Sequence, residues 1–190
     1  MARPKSPEKR EAILAAAAQE IAESGLSVAT ARIARRANIA EGTLFTYFAT
    51  KDELLNALYL ELKRETYEHV QQGFPVKDSL EQRTRHVWSS YIAWVLGSPA
   101  KRRAMAQLNV SDLITASTRA QAAAGRDEVE RMLSELNHRT TLRNLPKGFA
   151  AVLMLSMQEA ILEFVSKAPS TAKKKQLIES GFTTFWRAIS

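Results

Sequence analysis

Apolar residues recur along this chain at three- and four-residue intervals, and strand-like alternation is hard to find, so the pattern predicts helices throughout. Ile13, Leu14, Ala17, Ala18 and Ile21 share one face of a first helix. Ser6-Pro7 gives it a cap and a proline at the first helical position, and Gly25 ends it near Ser24. A short second helix opens at Thr30, a good N-cap. It carries a narrow stripe of Ile33, Ala34 and Ala37, small enough for another helix to approach closely. Asn38 tolerates the left-handed conformation that ends a helix sharply, and Ile39 plugs the turn. A third helix spans Glu41–Phe48, with Leu44 and Phe48 pointing inward. Thr50 and Glu53 form a capping box that opens a long helix to about Gln72. After a break at Gly73–Lys77, Asp78 and Glu81 repeat the cap pattern for a helix to about Leu96. Ser98-Pro99 starts a short basic helix, and another runs from near Ser111 to about His138, with Gly125 as its candidate break. Pro146–Lys167 and Ser170–Ser190 are the last two.

Two short helices joined by a tight turn and followed by a capped third have the layout of a helix-turn-helix, which places one helix in a DNA major groove. The third helix has the right outward chemistry. Thr43, Phe45, Thr46 and Tyr47 point out or sideways, two hydroxyl donors and two aromatics with almost no solubilising charge. Hydroxyls bond phosphates, and a ring lies against a thymine methyl. Phe45 and Tyr47 could instead pack on the next helix, and the Tyr47 hydroxyl could reach out even then.

Charge sharpens the picture only locally. The net charge is +7, yet residues 1–70 are balanced and the whole excess lies in 71–190. Arg3, Lys5, Lys9 and Arg10 cluster near the start, Arg32, Arg35 and Arg36 decorate the second helix, and Lys51 follows the third. Each can neutralise phosphate, and each taken singly can be a solvated surface charge. Lys51 sits in a helix's first turn, where the dipole disfavours a cation unless a phosphate is near.

A chain of 190 residues makes one large domain or two small ones. The absence of Cys excludes disulfides and thiolate metal sites and fits a reducing cytoplasm, the expected location. Gln19 and Glu20 interrupt the first apolar run, so no signal peptide is expected, and the charge-free stretch Gly148–Gln158 is too short to span a membrane. There is no phosphate-binding glycine loop, no Gly-x-Ser-x-Gly and no His-Glu-x-x-His. His69, His86 and His138 are scattered, without carboxylates at metal-ligand spacing, and read as surface or edge residues. The chain is therefore not expected to be an enzyme, and no cofactor or metal is implied.

The last two helices are apolar over more than one stripe. Phe149, Val152, Leu153, Met157, Ala160, Ile161 and Phe164 lie on the first, and Leu177, Ile178, Phe182, Phe185, Trp186 and Ile189 on the second. One stripe can pack inward and another against a second subunit as a four-helix bundle about a two-fold axis. Phe149, Leu153, Met157, Phe164, Phe182, Phe185 and Trp186 are the candidate homodimer contacts; ordinary core in a monomer is the alternative.

The segments AEGTLFTYFATKDELL and IARRAN closely resemble the motif of the TetR/AcrR family of bacterial repressors. MARPKS, WSSYIAWVL, SPAKRRAMAQLNVS and GFTTFWRA are similar to multidrug-responsive members that govern efflux; residues 115–147 carry little of this likeness. Asn38 stands where the family usually has Gly, and Glu41 departs from its usual pattern. The resemblance implies an all-α protein: a helix-turn-helix domain at 1–52 and a helical effector-binding and dimerisation domain at 53–190, with the long helix shared as a lever. It implies a homodimer on a palindromic double-stranded operator, released by a small hydrophobic or cationic effector. Thr30, Arg32, Thr43, Phe45, Thr46, Tyr47 and Lys51 would face DNA, with Arg3 and Lys5 from the basic arm. Tyr59, Lys63, Thr84, Trp88, Tyr91, Met105, Met154 and Glu159 would meet the effector, wedged between Tyr59 and Trp88. Glu159, the one acid among them, favours organic cations. For Trp88 and Tyr91 plain core is the alternative. An activator, an effector-blind DNA binder or a helical hydrophobic-ligand carrier would share much of this pattern.

Overall fold

The computed structural model describes residues 5–124, 127–138 and 141–190. Among them every regular element is a helix: α1 Pro7–Ser24, α2 Thr30–Arg36, α3 Glu41–Tyr47, α4 Lys51–Gln71, α5 Leu80–Gly97, α6 Pro99–Asn109, α7 Ala116–Ala123, α8 Asp127–Asn137, α9 Phe149–Val165 and α10 Thr171–Ile189. Two compact units result, Met1–Glu65 with Ser98–Ala124, and Thr66–Gly97 with Gly125–Ser190. The division falls between Glu65 and Thr66, within α4, the long helix that also holds the 52/53 boundary implied by the resemblance.

In the first unit α1 packs on α2 and α6, and α2 on α3. Its core holds Ile13, Ala17, Ile21, Ile33, Ala34, Leu44, Phe48, Leu54, Leu55, Leu58 and Leu62. The Ser6 hydroxyl caps α1 by accepting from the Lys9 amide, and Gly25 (φ +81°) ends the helix. At the end of α2, Asn38 has φ +55°. The Asn38 amide donates to the Arg35 carbonyl and the Ile39 amide to that of Ala34, the paired bonds of a Schellman stop. Thr30 is the first residue of α2 rather than its cap; Ala29 holds the cap position, without a side-chain bond. Thr50 accepts from the Glu53 amide, and the Glu53 carboxylate accepts in return from Ala49, one residue before the expected partner.

In the second unit α5, α8, α9 and α10 pack together. Ser79, not Asp78, caps α5: its hydroxyl accepts from the Gln82 amide while the Gln82 side chain accepts from the Ser79 amide. The core centres on Trp88. Its indole N–H donates to the Ile178 carbonyl (3.1 Å), Phe185 stacks on it at 5.7 Å, and Phe182 meets it edge-on. Gly181 permits this approach, since a Cβ there would stand 2.8 Å from Ile161 and 3.0 Å from Trp88. The helix expected from Ser111 begins instead at Ala116, capped by the Thr115 hydroxyl, because Ser111–Ile114 form a turn.

Candidate nucleic-acid interface

The solvent face of α3 follows from its spacing. Leu44 and Phe48 are buried, which leaves Glu41, Gly42, Phe45 and Thr46 exposed on the other side, at i, i+1, i+4 and i+5. Phe45 is 43% exposed, so it does not pack away on the next helix. Thr43 and Tyr47 flank this face, half-buried. The Tyr47 hydroxyl accepts from the Ser6 amide at 2.9 Å, which joins the root of the N-terminal arm to α3. An acceptor bond leaves the phenol proton to donate elsewhere. The Thr46 hydroxyl donates back to the Gly42 carbonyl, and that of Thr30 donates to the Glu41 carboxylate at 2.6 Å.

The arginines of α2 differ from one another. Glu20 of α1 is buried, and Arg36 donates to it at 2.7 Å while Arg32 pairs with it at 2.8 Å; Arg36 also binds Glu23. The Arg36 hydrogen bond holds the Glu20 carboxyl below its ordinary range against the opposing effect of burial, with Arg32 adding to the lowering. Arg32, expected to face DNA, is paired with Glu20 of α1 while half of its side chain stays exposed. Glu20 was read only as a break in an apolar run. Its place one turn from Ala16, on the buried face of the helix, was the signal available. Lys5 is exposed, Lys51 is half-buried at the start of α4, and Arg3 lies outside the described residues.

The expected effector residues are spread over both units. Tyr59, Lys63 and Met105 belong to the first, where the buried Tyr59 ring has Lys63 Nζ 5.2 Å and the Arg119 guanidinium 5.7 Å from its centre. Thr84, Trp88, Tyr91, Met154 and Glu159 belong to the second. The Tyr91 hydroxyl donates to Glu159 at 2.8 Å. Trp88 is fully buried, its ring covered by Phe182 and Phe185. None of the eight lines the cleft of about 420 Å³ around Asn137, Arg143 and Lys147, or the cleft of about 330 Å³ between Leu14 and Leu62.

The candidate dimer residues separate cleanly. Phe149, Val152, Leu155 and Phe164 are exposed on α9, and Leu153, Met157 and Trp186 are half-buried. Phe182 and Phe185 are core residues, not contacts, because they fill the space beside Trp88.

Residues 13–58 match the family described as bacterial regulatory proteins, tetR family. That span takes in most of α1, all of α2 and α3 and the start of α4. This segment is similar to the N-terminal domain of TetR-family regulators. The solved structure of a tetR family transcription regulator from Shewanella sp. PV-4 is 25% identical, with a TM-score of 0.77 over 95% of this chain and 97% of that one. A TetR family transcription regulator from Marinobacter aquaeolei VT8, 20% identical, shares the fold at a TM-score of 0.83, covering 95% of this chain and 94% of that one. A fatty acid metabolism regulator protein of Bacillus subtilis (strain 168) is 28% identical over 86 residues, 45% of this chain. The match spans only 44% of that relative's length. These TetR-type relatives are transcription regulators, not enzymes. Among the described residues no helix is long and apolar enough to cross a membrane.

Proposed function

We propose that the protein is a transcriptional repressor that binds a two-fold symmetric operator as a homodimer and is released by a small hydrophobic or cationic effector, with efflux genes as its targets. The observation that carries this reading is the solvent face of α3, where Phe45 and Thr46 stand exposed on a helix whose other side is locked into core. Phe45 would meet a thymine methyl. Thr43, Tyr47, Lys51, Arg32, Thr30 and the Lys5 arm would meet phosphate or base edges. The exposed apolar stripe of α9 supplies a self-complementary contact for a second copy. Two recognition helices would then stand about one turn of DNA apart, ~34 Å. In the second unit the Tyr91–Glu159 hydrogen bond supplies a polar anchor. An effector held there lowers operator affinity only by as much as it prefers the non-binding form.

A second reading concerns the effector alone. The Bacillus subtilis relative is a fatty acid metabolism regulator protein, and an acyl chain would suit the same apolar surroundings. Selection of random duplex DNA with the purified protein near physiological salt tests the main proposal. A two-fold symmetric site supports it, and weak salt-sensitive binding without sequence preference overturns it. Titrating the recovered complex with organic cations and with acyl compounds separates the two effector classes. Indifference of operator affinity to both would leave an effector-blind binder.

A further inference from the structure

Glu41 is the anomaly of the α3 face. A carboxylate at the end of a DNA-facing helix meets phosphate repulsion, and it is exposed, with no cation paired to it among the described residues. Among the described residues its side-chain hydrogen bond comes from a neutral donor. The Thr30 hydroxyl, on the first residue of α2, donates to Glu41 Oε1 at 2.6 Å and holds the carboxylate at the start of α3. Glu41 lies one turn before Phe45 and on the same exposed face, where the N-terminal residues of a recognition helix reach base edges.

A carboxylate can only accept hydrogen bonds. In the major groove guanine shows two acceptors and thymine an acceptor beside a methyl, so both repel it. Adenine offers its N6 amino group next to the N7 acceptor, and cytosine offers the N4 amino group without an acceptor of its own beside it. We propose that Glu41 is a specificity-determining residue that selects cytosine in each operator half-site, with Thr30 as the residue that positions it. The inference rests on the DNA-binding reading above. Four residues of helix advance about 6 Å, close to two base steps. The cytosine read by Glu41 and the thymine read by Phe45 therefore lie within about two base pairs of each other. Where the base opposite it offers no amino group, the carboxylate gains no bond from DNA, so it weakens binding there and widens the gap between right and wrong sites.

The test is selection of random duplex DNA by the full-length protein and by its Glu41→Ala, Glu41→Gln and Thr30→Val variants, with helical content checked by circular dichroism. The wild-type site carries a symmetric cytosine that discriminates about tenfold or more against other bases. Glu41→Ala loses that preference, keeps the rest of the site and binds non-specific DNA more tightly. Glu41→Gln moves the preference toward adenine, whose N6 and N7 a carboxamide matches. Thr30→Val narrows the discrimination at that one position, a readout that a uniform loss of affinity does not move. A wild-type site that Glu41→Ala selects with the same base frequencies overturns the inference while leaving the operator reading intact. Failure of the wild-type protein to select any site overturns both.

Discussion

Helices α3 and α9 each turn a face to solvent, and the two faces are opposite in kind. On α3 the exposed residues are Glu41, Gly42, Phe45 and Thr46, and the polar groups among them already have partners: Thr30 for Glu41 and the Gly42 carbonyl for Thr46. On α9 the exposed residues include Val152 at 64% and Phe164 at 66%, with Phe149 and Leu155 beside them. The first face is stable in water and can be matched by hydrogen-bond chemistry. The second gains free energy from any cover, at about 25 cal/mol per Å² of apolar surface buried. Under the proposed function the first face suits sequence discrimination and the second suits association.

The largest effect is expected from the apolar face. Val152→Glu with Phe164→Glu should split the proposed dimer and lower operator affinity by roughly a hundredfold or more, because each half-site then binds alone. Sedimentation and operator titration measure this, and unchanged helical circular dichroism confirms the fold. Wild-type affinity in that variant would mean that α9 does not carry association.

Next comes the core behind that face. Trp88→Ala should cost about 3–5 kcal/mol in denaturant unfolding, the usual range for deleting a buried Trp. A variant of undiminished stability that had lost fluorescence quenching by a ligand would make Trp88 a binding residue instead.

On the polar face, Phe45→Ala should lower operator affinity by about tenfold, with stability changed by no more than about 0.5 kcal/mol because the ring is so exposed. A large fall in thermal stability would place Phe45 in packing rather than recognition.

The smallest effect is electrostatic. Glu20 has a carboxyl depressed in the folded state by Arg36 and Arg32, so its contribution to stability is full above the ordinary carboxylate range. It is lost as pH falls through the depressed value. Thermal unfolding from pH 7 down to pH 3 should show this acid limb, and Glu20→Gln should flatten it while lowering the midpoint at neutral pH by a few degrees. An acid limb identical in the variant would assign the loss to other carboxylates.

Much of the local architecture was legible in the residues. Ser6-Pro7, Asn38-Ile39 and Thr50–Glu53 each marked a helix end that the structure shows, because caps and stops are bonds between residues a few positions apart. The misreadings are of the same short range. Asp78 and Ser79 are both good caps, and only the reciprocal bonds with Gln82 decide for Ser79. Thr30 looked like a cap, yet its hydroxyl turns to Glu41, eleven residues on. Phe45 and Thr46 of the exposed α3 face were legible too, since Leu44 and Phe48 leave one side free at helical spacing; Glu41 and Gly42, which complete that face, were not read there, and Thr43 and Tyr47 are half-buried.

By itself, then, the sequence determined that the chain is helical, where most of the helices begin and end, and which short helix turns an unusual face outward. All of these depend on interactions within a turn or two. Which of several apolar stripes becomes core was decided only in three dimensions. Phe164 and Phe185 are equally apolar and both sit on amphipathic helices, but Phe185 finds the Trp88 ring, whereas Phe164 stays largely exposed among the described residues. The indole of Trp88 is satisfied by a carbonyl 90 residues away, and Glu20 by arginines on another helix. Periodicity marks a face as apolar. It carries no record of which distant segment will be there to bury it.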